Sequence, residues 1–164
     1  MKTLILMRHG KAEWAEGGQP DFERPLAPRG VKAAKQAGRL LDQKGLRPDR
    51  VICSAAERAR RTAELAYGAG GFGVPFEIRP ELYETTAAGA LELIRRHGQE
   101  AGILLVVGHE PTSSELISLL VGGGRHEMAT AALAGIEADV DSWADLVPGR
   151  GRLVFLIPPK LVED

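Results

Sequence analysis

Thr3-Leu4-Ile5-Leu6-Met7-Arg8-His9-Gly10 is the stretch on which the reading of the whole chain turns. Its apolar part shows no polar alternation and is rich in Leu and Ile. That pattern fits a strand buried on both faces, as in a parallel sheet. The run then stops on a guanidinium, an imidazole and a glycine. Two other apolar runs end in the same manner. Arg50–Cys53 leads into Ser54-Ala55-Ala56-Glu57-Arg58, and Ile103–Val107 leads into Gly108-His109-Glu110-Pro111. In a parallel sheet the carboxyl ends of the strands lie along one edge, and ligands bind in the crevice beyond it. Arg8, His9, Arg58 and His109 are therefore expected at one place. A cluster of that charge calls for an anion, and phosphate matches the donor fork of a guanidinium.

Helical patterns lie between these runs. Pro28 opens a helix with Val31, Ala34, Ala37, Gly38 and Leu41 on its inner stripe and Gly45 as its stop. Ser54–Glu57 reads as a capping box for a helix reaching about Tyr67, with Gly68 at its end. A third helix starts near Thr86 and stops at Gly98. Thr112–Glu115 reads as a second capping box, with Gly122 as the stop. Leu153–Ile157 is a fourth strand candidate, Val74–Ile78 and Leu133–Ile136 are weaker ones, and the tail after Gly124 adds edge strands. Alternation of this kind predicts a three-layer α/β/α sandwich around a mostly parallel central sheet.

Bulk properties narrow the function. The 164 residues fit one domain, 1–164, with its own core. A net charge of −1 gives no sign of a nucleic-acid or membrane partner. The single cysteine, Cys53, excludes an internal disulfide and offers no zinc motif; it reads as packing in a buried strand. No carboxylate cluster is spaced to hold a metal. No apolar run is long enough to span a bilayer, and the apolar run at the N-terminus is too short for a signal peptide. A cytoplasmic protein is the expectation.

The motifs resemble those of the histidine phosphatase superfamily, the phosphoglycerate mutase-like family. Arg8-His9-Gly10 is similar to its signature tripeptide. Ser54-x-x-x-Arg58 is similar to its Ser-Pro-x-x-Arg element, with Ala55 in place of proline, and Gly108-His109 to its second histidine. Leu26-Ala27-Pro28-Arg29-Gly30 is similar to its Leu-Thr-x-x-Gly element. Small size and the Asp21-x-x-Arg24-Pro25-Leu26 loop make the chain most similar to the short SixA-type phosphohistidine phosphatases.

The resemblance implies a phosphoglycerate mutase-like fold and a two-step reaction. In it His9 attacks phosphorus and becomes a phosphohistidine, while Arg8, Arg58 and His109 bind the phosphoryl oxygens. No metal or cofactor is implied, since Arg and His supply the positive charge. Gly10 would let the backbone pass close to the phosphate. Glu84, in Leu82-Tyr83-Glu84, is the first candidate for a general acid and Glu81 the second; each also reads as a surface carboxylate. The stretch between Arg58 and His109 is filled by predicted elements, leaving nothing for a lid. An open site suits a phosphohistidine on a protein surface, the expected partner. A broad-specificity phosphatase of small phosphate esters is the enzymatic alternative. A phosphoprotein-binding module without turnover is the non-enzymatic one.

Overall fold

A computed structural model describes residues 1–162. Six strands form one sheet: β1 (Lys2–Arg8), β2 (Arg50–Ser54), β3 (Phe76–Arg79), β4 (Ile103–Gly108), β5 (Leu133–Ala138) and β6 (Gly151–Ile157), in the order β3-β2-β4-β1-β5-β6. Four helices accompany them: α1 (Pro28–Gln43), α2 (Glu57–Gly70), α3 (Ala87–His97) and α4 (Thr112–Val121). The three expected motif-bearing strands are the adjacent central ones. β4 pairs in parallel with β1 on one side and β2 on the other, in a register that sets Arg8 beside Gly108 and Cys53 beside Val107.

Burial on both faces has a visible cause. Side chains alternate across a strand, so Leu4, Leu6, Ile52, Leu104 and Val106 meet Leu91 and Ile94 of α3 and Leu116, Ile117 and Leu120 of α4. Their neighbours Ile5, Met7, Val51, Cys53, Leu105 and Val107 meet Ala34, Ala37 and Leu41 of α1 and Ala59, Ala63 and Ala66 of α2. These two cores on opposite faces make the α/β/α sandwich. The small residues of α1 and α2 let the helices approach closely. A Cβ on Gly38 would stand 2.2 Å from the Ala66 carbonyl oxygen, so only glycine fits there. Cys53 is buried, and burial pushes its thiol up to about 12.

The second half departs from the sequence reading in detail. β5 is antiparallel to β1 and lies inside the sheet; β6, antiparallel to β5, takes the edge. Gly135 makes this possible by leaving room for the Phe155 ring of β6 over the strand. Trp143 is fully buried in the α3–α4 core, with Nε1 donating to the Ala101 carbonyl at 2.7 Å. Helix α2 continues past Gly68 to Gly70, and Gly71 closes it in the left-handed conformation.

Neither capping box forms as expected. Ala56 holds the N-cap position of α2, while Ser54 stays in β2 and turns its hydroxyl elsewhere. At α4 the cap comes from outside the helix: the Glu110 carboxylate accepts from the backbone N–H and the hydroxyl of Ser114. Thr112 instead donates to the Thr85 carbonyl at 2.8 Å.

A pair of substitutions tests the helix contact. Gly38→Ala should lower stability by about 1–3 kcal/mol through overpacking. Gly68→Ala, in a helix position with nothing within 4 Å of the new Cβ, should raise it by up to about 1 kcal/mol. Urea unfolding of both variants against the parent reads the opposite signs.

Candidate active site

His9 follows the last residue of β1, and its backbone N–H donates to the Gly108 carbonyl at 3.1 Å. It is 8% exposed. Its Nδ1 lies 2.7 Å from the Gly10 carbonyl oxygen. A carbonyl can only accept, so the neutral ring carries its proton on Nδ1 and keeps the lone pair on Nε2. Arg58 Nε donates toward that same Nε2 at 3.3 Å, which agrees with the assignment. The His9 pKa is pushed down to about 3, chiefly by burial; the Gly10 contact opposes this, and His109, Arg58 and Arg8 add to it.

The other expected residues gather around this ring. The His9 and His109 ring centroids are 5.3 Å apart. His109 Nε2 is 2.8 Å from Ser54 Oγ, which also accepts from the Ala56 N–H at 3.2 Å. Having accepted one bond, that hydroxyl is free to donate to Nε2 and leave the His109 proton on Nδ1. The His109 pKa is pushed down to about 4, first by burial and then by Arg58. Arg8 Nη1 donates to the Met128 carbonyl at 3.1 Å, while its buried Nε finds no partner among the described residues. Burial works against the Arg8 charge and Glu110 supports it. Such an unsatisfied, cation-bearing donor is what an arriving oxyanion would complete.

Together Arg8, His9, Arg58 and His109 line a cavity of about 310 Å³, joined by Lys11, Ala12, Trp14, Arg24, Glu110 and Thr130. Glu110 is the one carboxylate among these residues. Because it also caps α4 through Ser114, whose hydroxyl accepts from the Met128 N–H at 3.0 Å, one network ties Arg8, the Met128 loop and α4 together. Gly10 also has a packing role. A Cβ there would stand 2.9 Å from the backbone of Gly30, so glycine serves the packing of the motif against α1. The Gly10 N–H donates to Thr62 Oγ1 at 3.0 Å, and that buried hydroxyl donates to the Arg58 carbonyl at 2.6 Å.

Of Tyr83-Glu84, it is Tyr83 that turns toward the site. Its ring meets the His109 ring edge-on at 5.5 Å, and its hydroxyl donates to Asp21 Oδ2 at 2.7 Å. Glu84 takes a left-handed φ of 59°, is exposed, and is not among the residues lining the cavity. Glu81 is exposed beside Arg79, at 3.8 Å. The carboxylate that does reach a site arginine is Asp21. Arg58 Nη2 meets its Oδ2 at 2.9 Å and Nη1 its carbonyl at 2.8 Å. Bonding to Tyr83 first, then to Arg24 and Arg58, holds the Asp21 carboxyl well below the usual carboxylate range. Asp21 was visible in sequence only as part of a loop motif, and nothing in its spacing linked it to Arg58. Among the described residues no group of three or more His, Cys, Asp or Glu side chains comes together as a metal site would require. None of their helices is long and apolar enough to cross a membrane.

Residues 4–93 match the model of the histidine phosphatase superfamily (branch 1). An uncharacterized protein of Mycobacterium tuberculosis (strain ATCC 25618 / H37Rv) is 37% identical over 163 residues, spanning 93% of this chain and 99% of that one. A 2,3-bisphosphoglycerate-dependent phosphoglycerate mutase of Thermobifida fusca (strain YX) is 45% identical over 75 residues, 43% of this chain and 30% of the mutase. Among solved structures, the provisionally assigned phosphohistidine phosphatase SixA of Agrobacterium tumefaciens superposes with a TM-score of 0.81 at 27% identity, over 96% of this chain and 98% of that one.

The low histidine pKa values have a measurable consequence. Proton NMR titration of the ligand-free protein should give midpoints near 3 for His9 and near 4 for His109. Because the unfolded chain then binds protons that the folded one refuses, the pair should remove stability progressively as pH falls from about 6.5 to about 3. Midpoints of 6 to 7 (roughly the unperturbed value) would contradict the buried, guanidinium-flanked setting.

Proposed function

The chain belongs to the histidine phosphatase superfamily, and from that premise we propose that it dephosphorylates phosphohistidine on a protein through a covalent phosphohistidine on His9. The observation that carries the nucleophile is the 2.7 Å contact from His9 Nδ1 to the Gly10 carbonyl, which leaves Nε2 as the reactive atom.

In the first step a phosphoryl group enters the cavity and takes the Arg58 Nε–H away from His9. The lone pair on Nε2 attacks phosphorus in line, the P–N bond to the substrate imidazole breaks, and that nitrogen takes up a proton from solvent at the open mouth of the site. Arg8 and Arg58 carry the charge spread over the equatorial oxygens, with the His109 N–H as a further donor. In the second step water attacks phosphorus, the bond to Nε2 breaks, and phosphate leaves. Neutral His9 is the competent form, and its depressed pKa keeps it so across the physiological range. An imidazole is readily protonated as it departs, so this substrate makes little demand on a protein-borne acid such as Glu84.

Likeness to the SixA structure over nearly the whole chain supports a protein-borne phosphohistidine as substrate. So does the mouth of the cavity, where Trp14 is 82% exposed and the Arg24 guanidinium lies 5.5 Å above its ring. An exposed aromatic of this kind is more at home in a protein contact than in an enclosed metabolite pocket. The alternative, hydrolysis of small phosphate esters, draws on the partial match to the mutase.

Activity on a phosphohistidine protein, on phosphoramidate and on sugar phosphates, with chelator present, tests the reading. The expected result is turnover with a clear preference for the phosphohistidine protein. Equal rates on sugar phosphates would favour the alternative. His9→Ala should abolish turnover, and Arg58→Ala should lower kcat by about 10²–10³-fold.

A further inference from the structure

A second cavity, of about 280 Å³, is lined by Lys11, Arg29, Lys32, Ala33, Thr130 and Pro159. Lys11 and Thr130 belong to it and to the catalytic cavity alike, so the two are contiguous. Its three charged residues are all cations, in a chain whose net charge is −1. None of the three side chains makes an ion pair or hydrogen bond among the described residues. Some surface arginines sit by carboxylates (Arg60 by Glu57 and Glu64, Arg95 by Glu92, Arg152 by Glu137) and others, such as Arg39, Arg61 and Arg96, do not, so what sets the groove apart is three cations around one cavity.

Local structure gives no reason for these charges. Arg29 lies in the first turn of α1, where the helix dipole favours acids, and that turn has none. What the arrangement does produce is a positive groove adjoining the catalytic cavity, able to attract and orient an anion joined to a phosphoryl group bound there.

We propose that Lys11, Arg29 and Lys32 form a docking site for a second anionic group of the substrate: in a phosphohistidine protein, an acidic side chain flanking the phosphorylated histidine. The protein-borne form of this inference rests on the function proposed above. The anion subsite itself does not. The groove touches no reacting atom and acts on capture and orientation, so it discriminates among substrates that share the same phosphoryl chemistry.

The test uses phosphohistidine peptides of equal length with acidic or neutral flanks, and phosphoramidate as a donor with no flank. The parent enzyme should prefer the acidic flank by about tenfold or more in kcat/KM, mainly through KM. Raising salt from about 0.05 to 0.5 M should erode that preference. The double variant R29E/K32E should lose it while turning over phosphoramidate within about twofold of the parent, which also shows that the fold is intact. No preference in the parent, or a preference that survives in R29E/K32E, would overturn the inference. If neither peptide is hydrolysed but small esters are, the phosphohistidine reading fails instead. The parent and R29E/K32E are then compared on phenyl phosphate and on a sugar bisphosphate. A bisphosphate preference lost in the variant sustains the subsite, and an unchanged ratio overturns it.

Discussion

Two guanidinium groups stand beside a buried imidazole, and that juxtaposition governs the site. Positive charge is what a phosphoryl group in transfer requires, and a protonated histidine would supply more of it. A protonated histidine cannot be a nucleophile, however. Burial of His9 and the proximity of Arg58 and Arg8 resolve the conflict by holding the ring neutral. The Gly10 carbonyl then selects which nitrogen keeps the lone pair. In the mechanism proposed, charge resides on residues that cannot lose it, and reactivity on one that must not gain it.

The sheet exists, in this sense, to meet that constraint. Arg8 and His9 leave β1, Arg58 stands one residue into α2 beyond β2, and His109 follows β4; the three strands are adjacent and parallel. Their dry interiors, packed on both faces, give the rigidity that holds unlike-tending groups together. Supporting bonds then join the site to the scaffold. Thr62 bridges the Gly10 N–H to the Arg58 carbonyl, and Glu110 connects α4 through Ser114 to the loop that holds Arg8.

Legibility in the sequence followed the range of the interactions. Strands β1, β2 and β4, the four helices and the meeting of Arg8, His9, Arg58 and His109 were readable, because apolar runs and strand-end motifs are local patterns with a topological consequence. Less was readable where one backbone angle or a distant partner decided. The left-handed φ of Glu84 sends it outward and lets its neighbour Tyr83 face the site. Asp21 reaches Arg58 across 37 residues through an irregular loop. Ser54 looked like a cap, yet its hydroxyl engages His109, because β2 runs through it and the helix starts later. The interior place of β5 depends on Gly135 making room for Phe155, a fit no strand propensity encodes.

Nε2 of His9 is the atom on which this mechanism depends, and its bond to phosphorus can be read directly. The enzyme would be mixed with a phosphoryl donor, quenched in base during turnover, unfolded, and examined by phosphorus NMR with peptide mapping. A phosphoramidate on His9, bonded through Nε2, is the expected result. Phosphate bonded through Nδ1 of His9, or recovered on any other residue, would contradict it.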